Sequence, residues 1–358
     1  MNSLQANDYN QTVSAKTTSY TLVAGDVGTH VQMTAATATT FSVPAATFAA
    51  GDSLFLSSQG AGAVTIQAAS TAITVTGLST TLAQYGGGTL RFQSASAATF
   101  FSGGVATIDV DFLVIGGGGS GGLSIEQGAG GAGGLRTSTG TSGGGASAEP
   151  TLVLSKATNY AVVIGAGAAA GAVIGSSSSF LNVVSYGGGG GGGGAGADTA
   201  ASRGFTGGSS GGSRGVTGTP TASTPGLTNQ GFGGGTGTSD GATYRSFGGG
   251  GGAGGAGGNG SAAAPAVNGA GGAGLANSIT GTSVTYAAGA SVATGAGTAN
   301  TGDASGYNAA GGSGIIILRY ADTLTITIGA GLTGTESASS GGYKRATITA
   351  GSGNVSWA

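Results

Sequence analysis

The chain contains no cysteine, a single histidine and few charged residues. The absence of cysteine excludes disulfides, thiolate zinc sites and cysteine nucleophiles. Lysine and arginine number 10 against 12 aspartates and glutamates, which gives a formal net charge of −2. Such a balance predicts no basic surface that would attract nucleic-acid phosphates. Because only 6% of the 358 residues are charged, we expect Ser, Thr, Asn and exposed backbone to wet the surface.

Long apolar runs are also missing. The longest ones have the length of a strand and fall short of the ~20 residues that a membrane helix needs, so no membrane insertion is expected. Residues Met1 to Asp8 show neither a basic n-region nor an apolar h-region, and we therefore expect no signal peptide. Together these features predict a low-charge external protein that lacks an export signal.

Glycine is abundant, with 83 residues that include the unbroken run Gly187 to Gly194. Collagen would place glycine strictly at every third position, which this chain does not do. A flexible linker would be polar throughout. Here apolar runs of strand type enter or leave the glycine blocks, at Asp111 to Ile115, Tyr160 to Ile164 and Ile315 to Leu318. This arrangement predicts an ordered glycine architecture.

The predicted fold class is all-β, in three parts. Residues 1–104 contain short alternating segments that are rich in Thr, Val and Phe and are separated by turn signals, and the predicted strands include Ser53 to Ser58 and Val64 to Ala68. These segments predict a small β-sandwich. Residues 105–321 combine strands with glycine tracts, at 116–134, 187–196, 207–215, 233–237, 248–260 and 269–274. Residues 322–358 return to an alternating pattern, with strands predicted at Tyr343 to Thr349 and Asn354 to Trp357, and predict a short C-terminal β module.

Polyglycine II is the predicted form of the glycine tracts. This helix has three residues per turn and no internal hydrogen bonds. Several such helices can approach closely because no Cβ intervenes, and they then pair N–H with C=O between helices. We therefore predict a polyglycine-II helix bundle tied down by the strands. The alternative is that the tracts are disordered spacers.

Motifs that suggest an enzyme lack their confirming context. Gly116 to Gly121 satisfies G-x-G-x-x-G after a strand, but no helix can follow it, and Arg136 stands where an acidic ribose ligand would be expected. His30 is the only histidine, and no nucleophile elbow accompanies it. Asp109 and Asp111 lie two apart and are interpreted as a solvated strand edge, while Glu126 is isolated. We predict no enzyme, no cofactor and no metal site.

Aromatic and arginine side chains gather in the inserts between the glycine tracts. Tyr and Arg anchor many recognition surfaces, with Ser, Gly and Asn as adaptable neighbours. The candidate receptor-binding residues are Arg203, Phe205, Arg214, Phe232, Tyr244, Arg245, Phe247, Tyr286 and Tyr307. The alternative is that these side chains pack inside the glycine bundle.

An ordered series of motifs over residues 105–321 resembles the glycine-rich domain proteins of tailed-phage virions. It comprises Asp111 to Gly119, Gly130 to Thr137, Ser179-Phe180, Gly271 to Ala276 and the closing Gly311 to Tyr320. Residues 1–104 are similar to β modules of phage tail fibres. The chain departs from the family in Ala287 to Ala310, where glycines are scattered, and in the β module after the closing strand.

The resemblance implies a virion structural protein, a tail fibre or a fibre-tip adhesin like those of T-even-like phages. It would be assembled in the host cytoplasm, released outside the cell, and would bind a host-surface glycan or outer-membrane protein without catalysis. Its N-terminal domain would attach to other virion proteins of the tail, baseplate or capsid. Glycine-rich fibre proteins often form trimers, so a homo-oligomer is expected. The alternatives are a capsid decoration or head-fibre protein and a cellular surface or extracellular filament protein.

Overall fold

The protein has an all-β fold, as predicted. A computed structural model describes residues 12–77, 79–102, 107–123, 126–171, 174–193, 202–215, 224–241 and 243–358. These residues form 26 strands and no α-helix, and they include the 3-10 turns Ala24–Asp26 and Gly143–Gly145. Two compact units are present, Met1–Ile108 with Ser155–Ala157, and Asp109–Leu154 with Thr158–Ala358. The predicted boundary at 104/105 and residues 194–196 of one glycine tract lie outside the described residues.

The first unit consists of two sheets. Its strands are β1 Val13–Lys16, β2 Tyr20–Thr21, β3 His30–Met33, β4 Thr39–Val43, β5 Ser53–Ser58, β6 Val64–Ala68, β7 Thr74–Gly77, β8 Thr81–Leu82, β9 Gly87–Ser94 and β10 Ala97–Ser102. A six-stranded sheet has the order β1-β3-β5-β9-β10-β7, and a four-stranded sheet has the order β2-β4-β6-β8. Both sheets contribute to one hydrophobic cluster, which includes Val31, Leu56, Phe41 and Ile66.

The chain alternates between these sheets over its first six strands. β1, β3 and β5 pair in parallel in one sheet, and β2, β4 and β6 pair in parallel in the other. Each pair of successive strands therefore forms one coil of chain stacked on the preceding one. Alternation of buried and partly buried residues, as in β3 and β4, directs one face of each strand to the shared core.

The second unit contains the remaining strands. They are β11 Thr107–Ile115 (which starts two residues before the unit does), β12 Leu135–Thr137, β13 Thr141–Ser142, β14 Ala146–Ser147, β15 Leu152–Ser155, β16 Tyr160–Val163, β17 Ser178–Phe180, β18 Val183–Ser185, β19 Thr238–Ser239, β20 Arg245–Ser246, β21 Leu275–Asn277, β22 Val284–Tyr286, β23 Ile315–Ala321, β24 Ile326–Ile328, β25 Leu332–Glu336 and β26 Tyr343–Trp357. Ten of them form one sheet, whose main path runs β12-β11-β23-β26-β16-β17-β18.

β26 integrates the C-terminal residues into this sheet. Its first half pairs with β23, with Ile348 opposite Ile316, and its second half pairs with β16, with Val355 opposite Tyr160. Trp357 at its end is buried against Tyr160 and Tyr320. Residues 322–358, which were predicted to form a separate module, therefore belong to the second unit.

The glycine segments leave this sheet and hydrogen-bond to one another through their backbones with a period of three. Gly116 and Gly119 donate to Gly134 and Gly131 of one neighbouring segment. The two residues between them donate to different segments, Gly117 to Ser176 and Gly118 to Gly312.

Segment 128–134 shows the same three-residue repeat within a packed environment. The backbone N–H groups of every third residue donate to carbonyl groups of the same neighbouring segment. Residues 128, 131 and 134 donate to residues 192, 189 and 186 of one segment. Residues 129 and 132 donate to residues 248 and 251 of a second segment, and residues 130 and 133 donate to residues 305 and 302 of a third. Its alanines fall on one edge, where Ala132 joins the cluster of Leu113, Ile315 and Tyr286. Backbone groups of the buried segment are thus satisfied without a sheet or an α-helix.

One end of these segments is joined to strands, because β11 leads into Gly116 and Gly314 leads into β23. Several connections meet at the opposite end, which we call the loop end; it contains residues 122–123, 126–127, 238–241, 243–247, 261–268, 292–294 and 307–308. Contacts between the connections hold them together: Asn308 N–H donates to Gly122 C=O (2.9 Å), Tyr307 N–H to Val292 C=O (3.1 Å) and Gly269 N–H to Phe247 C=O (2.8 Å).

Candidate functional site

A pocket of about 460 Å³ opens at the loop end. Five separate connections supply its lining, which consists of Glu126, Thr243, Arg245, Phe247, Ala266, Asn268, Val292, Ala293 and Tyr307. Three of the nine residues predicted from the sequence, Arg245, Phe247 and Tyr307, therefore share one site. Its volume lies in the ~300–1,000 Å³ range that is typical of small-molecule sites.

A short hairpin presents Arg245 to this pocket. β19 and β20 pair with Ser239 opposite Arg245. At the turn, Asp240 Oδ1 accepts hydrogen bonds from the backbone N–H groups of Thr243 (3.0 Å) and Tyr244 (2.9 Å). This local pairing is the usual way in which Asp stabilises a turn. It fixes the backbone that carries both Thr243 and Arg245.

Phe247 forms a buried wall of the pocket and is 6% exposed. Its N–H donates to Asn268 Oδ1 (3.1 Å), which ties two of the connections together. The ring packs in a small cluster with Ala129, Ala290, Val292 and Ala304. Phe247 can thus shape the pocket and anchor the glycine segments at the same time.

The charged side chains of the site are paired with one another. Glu126 Oε2 lies 3.4 Å from Arg214 Nη2 and 3.6 Å from Arg245 Nη1. Arg214 is largely buried, whereas the Glu126 and Arg245 side chains are 58% and 47% exposed. Ion pairs exposed to this extent contribute little to stability, about 0–1 kcal/mol. Glu126, which is isolated in the sequence, is therefore placed between two guanidinium groups by the fold.

Neutral polar groups complete the lining. Within the described residues, Thr243 Oγ1, Asn268 Nδ2 and the Tyr307 hydroxyl make no hydrogen bond to protein. Tyr307 is 43% exposed, and its backbone is fixed by the hydrogen bond to Val292. These groups are free to bind a ligand that both donates and accepts hydrogen bonds.

The structure distributes the other predicted residues differently. Tyr244 (39% exposed) lies on the hairpin beside the pocket. Arg203 and Phe205 are exposed on a neighbouring segment, where Phe205 N–H donates to Gly190. Phe232 is half-buried and bonds to Gly252, inside the glycine segments. Tyr286 in β22 is buried in the core, and this burial raises its pKa; its position supports the packing alternative.

Sequence reasoning missed Glu126, Thr243, Asn268 and Val292 as parts of the site. Asn268 directly precedes a glycine tract and Thr243 precedes the Tyr-Arg pair, so position at a tract boundary is the signal that could have found them. Glu126 and Val292 carry no such local signal, because residues that are distant in sequence complete their environment: Arg214 and Arg245 for Glu126, and Ala129 and Phe247 for Val292.

The residues that were considered for catalysis make contacts within the fold. His30 Nε2 lies 2.6 Å from Ser57 Oγ in the first unit, and burial lowers the His30 pKa. Asp111 binds Arg319 and does not form a carboxylate pair with Asp109, which is exposed. The backbone of Gly116 to Gly119 donates to neighbouring segments of the protein itself. Within the described residues, no cluster of three or more His, Asp or Glu side chains could hold a metal ion.

Comparison with known proteins returned no match: no family model, no curated protein and no solved structure is similar to this chain. In the part of the chain that the structure describes, no helix combines the length and apolar character needed to cross a membrane. The resemblance to glycine-rich phage proteins thus depends on the sequence motifs alone and stays a prediction.

Proposed function

We propose that the chain is a structural protein of a tailed-phage virion, a tail fibre or fibre-tip adhesin that binds a host-surface receptor without catalysis. The observation that carries this proposal is the loop-end pocket, where Arg245 and Phe247 from one connection between ordered glycine segments meet Tyr307 from another. The first unit would attach the chain to other virion proteins of the tail, baseplate or capsid.

We infer that the glycine segments form a polyglycine-II bundle and that the two sheets of the first unit form the predicted small β-sandwich. A helix with three residues per turn directs every third N–H to the same neighbour, which is the repeat seen for Gly116 and Gly119 and along segment 128–134. The close approach of the segments supports this inference, because a Cβ on Gly117 would overlap the carbonyl oxygen of Ala166.

Such a scaffold suits receptor binding for a physical reason. Loops whose ends are fixed by packed segments lose less conformational entropy when a ligand binds. Tyr and Arg beside Ser, Gly and Asn are typical of recognition surfaces. A homo-oligomer on a particle with several copies would multiply weak single-site affinity, because neighbouring sites raise the effective concentration.

Immunogold electron microscopy tests this proposal, with an antibody raised against residues 109–321 and applied to particles from the native source. Gold at tail or fibre ends, together with slower particle adsorption when purified protein is added to host cells, is the expected result. Gold over the heads would replace the proposal with a capsid decoration or head-fibre protein. Gold on cells or free filaments without particles would replace it with a cellular surface or filament protein.

A further inference from the structure

We propose that the loop-end pocket binds a neutral saccharide, through Thr243, Asn268 and Tyr307. This inference deepens the proposed function, since it gives the class of host molecule that the adhesin would recognise. Three properties of the pocket carry it: the pairing of its charges, its free neutral hydrogen-bonding groups, and the apolar surface between them.

The charges near the pocket are balanced in sign. Glu126 contacts both Arg214 and Arg245. Asp240, at the turn beside Thr243, accepts hydrogen bonds from two backbone N–H groups. Two cations and two anions leave a local formal charge of zero. An anionic ligand near Arg245 would also meet the carboxylates of Glu126 and Asp240, and a cationic ligand would meet both guanidinium groups, so an uncharged ligand fits best.

The free polar groups match sugar hydroxyls in number and kind. Asn268 Nδ2 is a donor, and the Oδ1 of the same amide already accepts a hydrogen bond from Phe247 N–H at 3.1 Å. The hydroxyls of Thr243 and Tyr307 can each donate and accept. A sugar ring presents adjacent hydroxyls with the same double capacity. Each would replace bound water by a hydrogen bond to protein, whereas a hydrocarbon ligand would leave all three protein groups unsatisfied.

The apolar part of the lining matches the apolar C–H face of a sugar ring. Phe247, Ala266, Val292 and Ala293 supply apolar wall, and the exposed ring of Tyr307 adds an aromatic surface. A pyranose ring carries C–H groups on a face that can lie against such a ring while its hydroxyls point to the rim. Tyrosine serves both parts of this contact, since its ring is apolar and its hydroxyl polar.

The test measures binding of purified full-length chain to a panel of neutral oligosaccharides built from glucose, galactose, mannose or N-acetylhexosamine, and to sialylated and phosphorylated counterparts. We expect at least one neutral saccharide to bind, with an affinity that changes less than about twofold between 50 and 500 mM salt, because no ion pair forms. Tyr307→Ala should weaken this binding by about tenfold or more, and Thr243→Val by about fivefold.

Tyr343→Ala is the matched control, because Tyr343 is exposed to the same extent (42%) but lies on β26 in the sheet. It should leave the affinity unchanged. Binding of acidic saccharides only, a steep salt dependence, or full affinity in Tyr307→Ala would overturn the inference. If no saccharide binds, the saccharide inference is wrong. The adhesin proposal would still stand in that case, provided that gold labels the fibre ends. If the protein binds a saccharide but immunogold places it outside the virion, the inference about the pocket stands and the virion proposal is overturned.

Discussion

At the scale of single residues, Asp111 shows how this protein uses one of its few charges. Arg319 donates to Asp111 Oδ2 through Nε (3.1 Å) and Nη2 (2.6 Å), and the hydroxyls of Ser138 and Thr151 donate to Oδ1. Burial by itself would raise the pKa of the carboxyl group. The hydrogen bonds from Arg319 and the two hydroxyls outweigh burial, and the Asp111 pKa is lowered from its ordinary value of 3.8.

This lowered pKa makes the stability of the second unit depend on pH. The unfolded chain binds a proton at Asp111 more readily than the folded chain does, so the pair's contribution is present above about pH 4 and is lost as pH falls through the folded pKa. Asp111→Asn should lower the free energy of unfolding by about 1–3 kcal/mol at pH 7. The difference between variant and wild type should shrink toward pH 2.5 in urea titrations. A difference that stays constant with pH would contradict the assignment.

At the scale of elements, the sequence predicts strands well where alternation is local. The predicted strands Ser53 to Ser58 and Val64 to Ala68 match β5 and β6 residue for residue. The predicted strands Tyr343 to Thr349 and Asn354 to Trp357 are instead two halves of β26. Their turn-like Gly351 and Gly353 continue the strand because β25 and β16 pair with it on either side, and such distant partners leave no signal in a local window.

The candidate site is predictable to a similar degree. Aromatic and arginine residues at tract boundaries indicate Arg245 and Tyr307, since unusual residue types stand out in a glycine-rich chain. The same rule also selects Tyr286, which the hairpin of β21 and β22 buries against Leu113 and Ile315. A residue at a tract boundary faces solvent or the core according to which glycine tracts lie beside it. The glycine tracts resemble one another in sequence, so the sequence does not indicate which of them are neighbours.

The glycine segments themselves lead to a prediction about side-chain size. A Cβ on Gly250 would overlap the carbonyl oxygen of Gly130 in the neighbouring segment, which cannot move without losing its own hydrogen bond. Gly250→Ala should therefore destabilise the second unit by about 3 kcal/mol or more, the upper part of the range for overpacked interiors. The measurement is the free energy of unfolding by denaturant.

Gly295→Ala is the matched control, because nothing lies within 4 Å of a Cβ at this position and its φ is not left-handed. The free energy of unfolding of Gly295→Ala should be unchanged or raised by at most ~1 kcal/mol, since alanine reduces the conformational entropy of the unfolded chain. Equal losses in both variants would show that glycine is needed for backbone freedom and would contradict close packing of the segments.

At the scale of the whole molecule, the two units have separate hydrophobic cores and separate reporters. Leu56 is fully buried in the core of the first unit, and Ile317 is fully buried in the core of the second. The only tryptophan of the chain, Trp357, is 1% exposed in the second unit. Tryptophan fluorescence therefore reports the packing of the second unit alone, whereas circular dichroism reports both.

Units with their own cores are expected to unfold independently, so the chain should show two denaturation transitions, one of them visible by Trp357 fluorescence. Leu56→Ala should lower the midpoint of the transition that fluorescence does not detect, because removing a buried leucine side chain costs about 2–5 kcal/mol. Ile317→Ala should lower the fluorescence-detected midpoint and leave the other in place. If Leu56→Ala moved the fluorescence transition as far as Ile317→Ala does, the units would be thermodynamically coupled. The first unit would then stabilise the glycine segments and would do more than attach them to a particle.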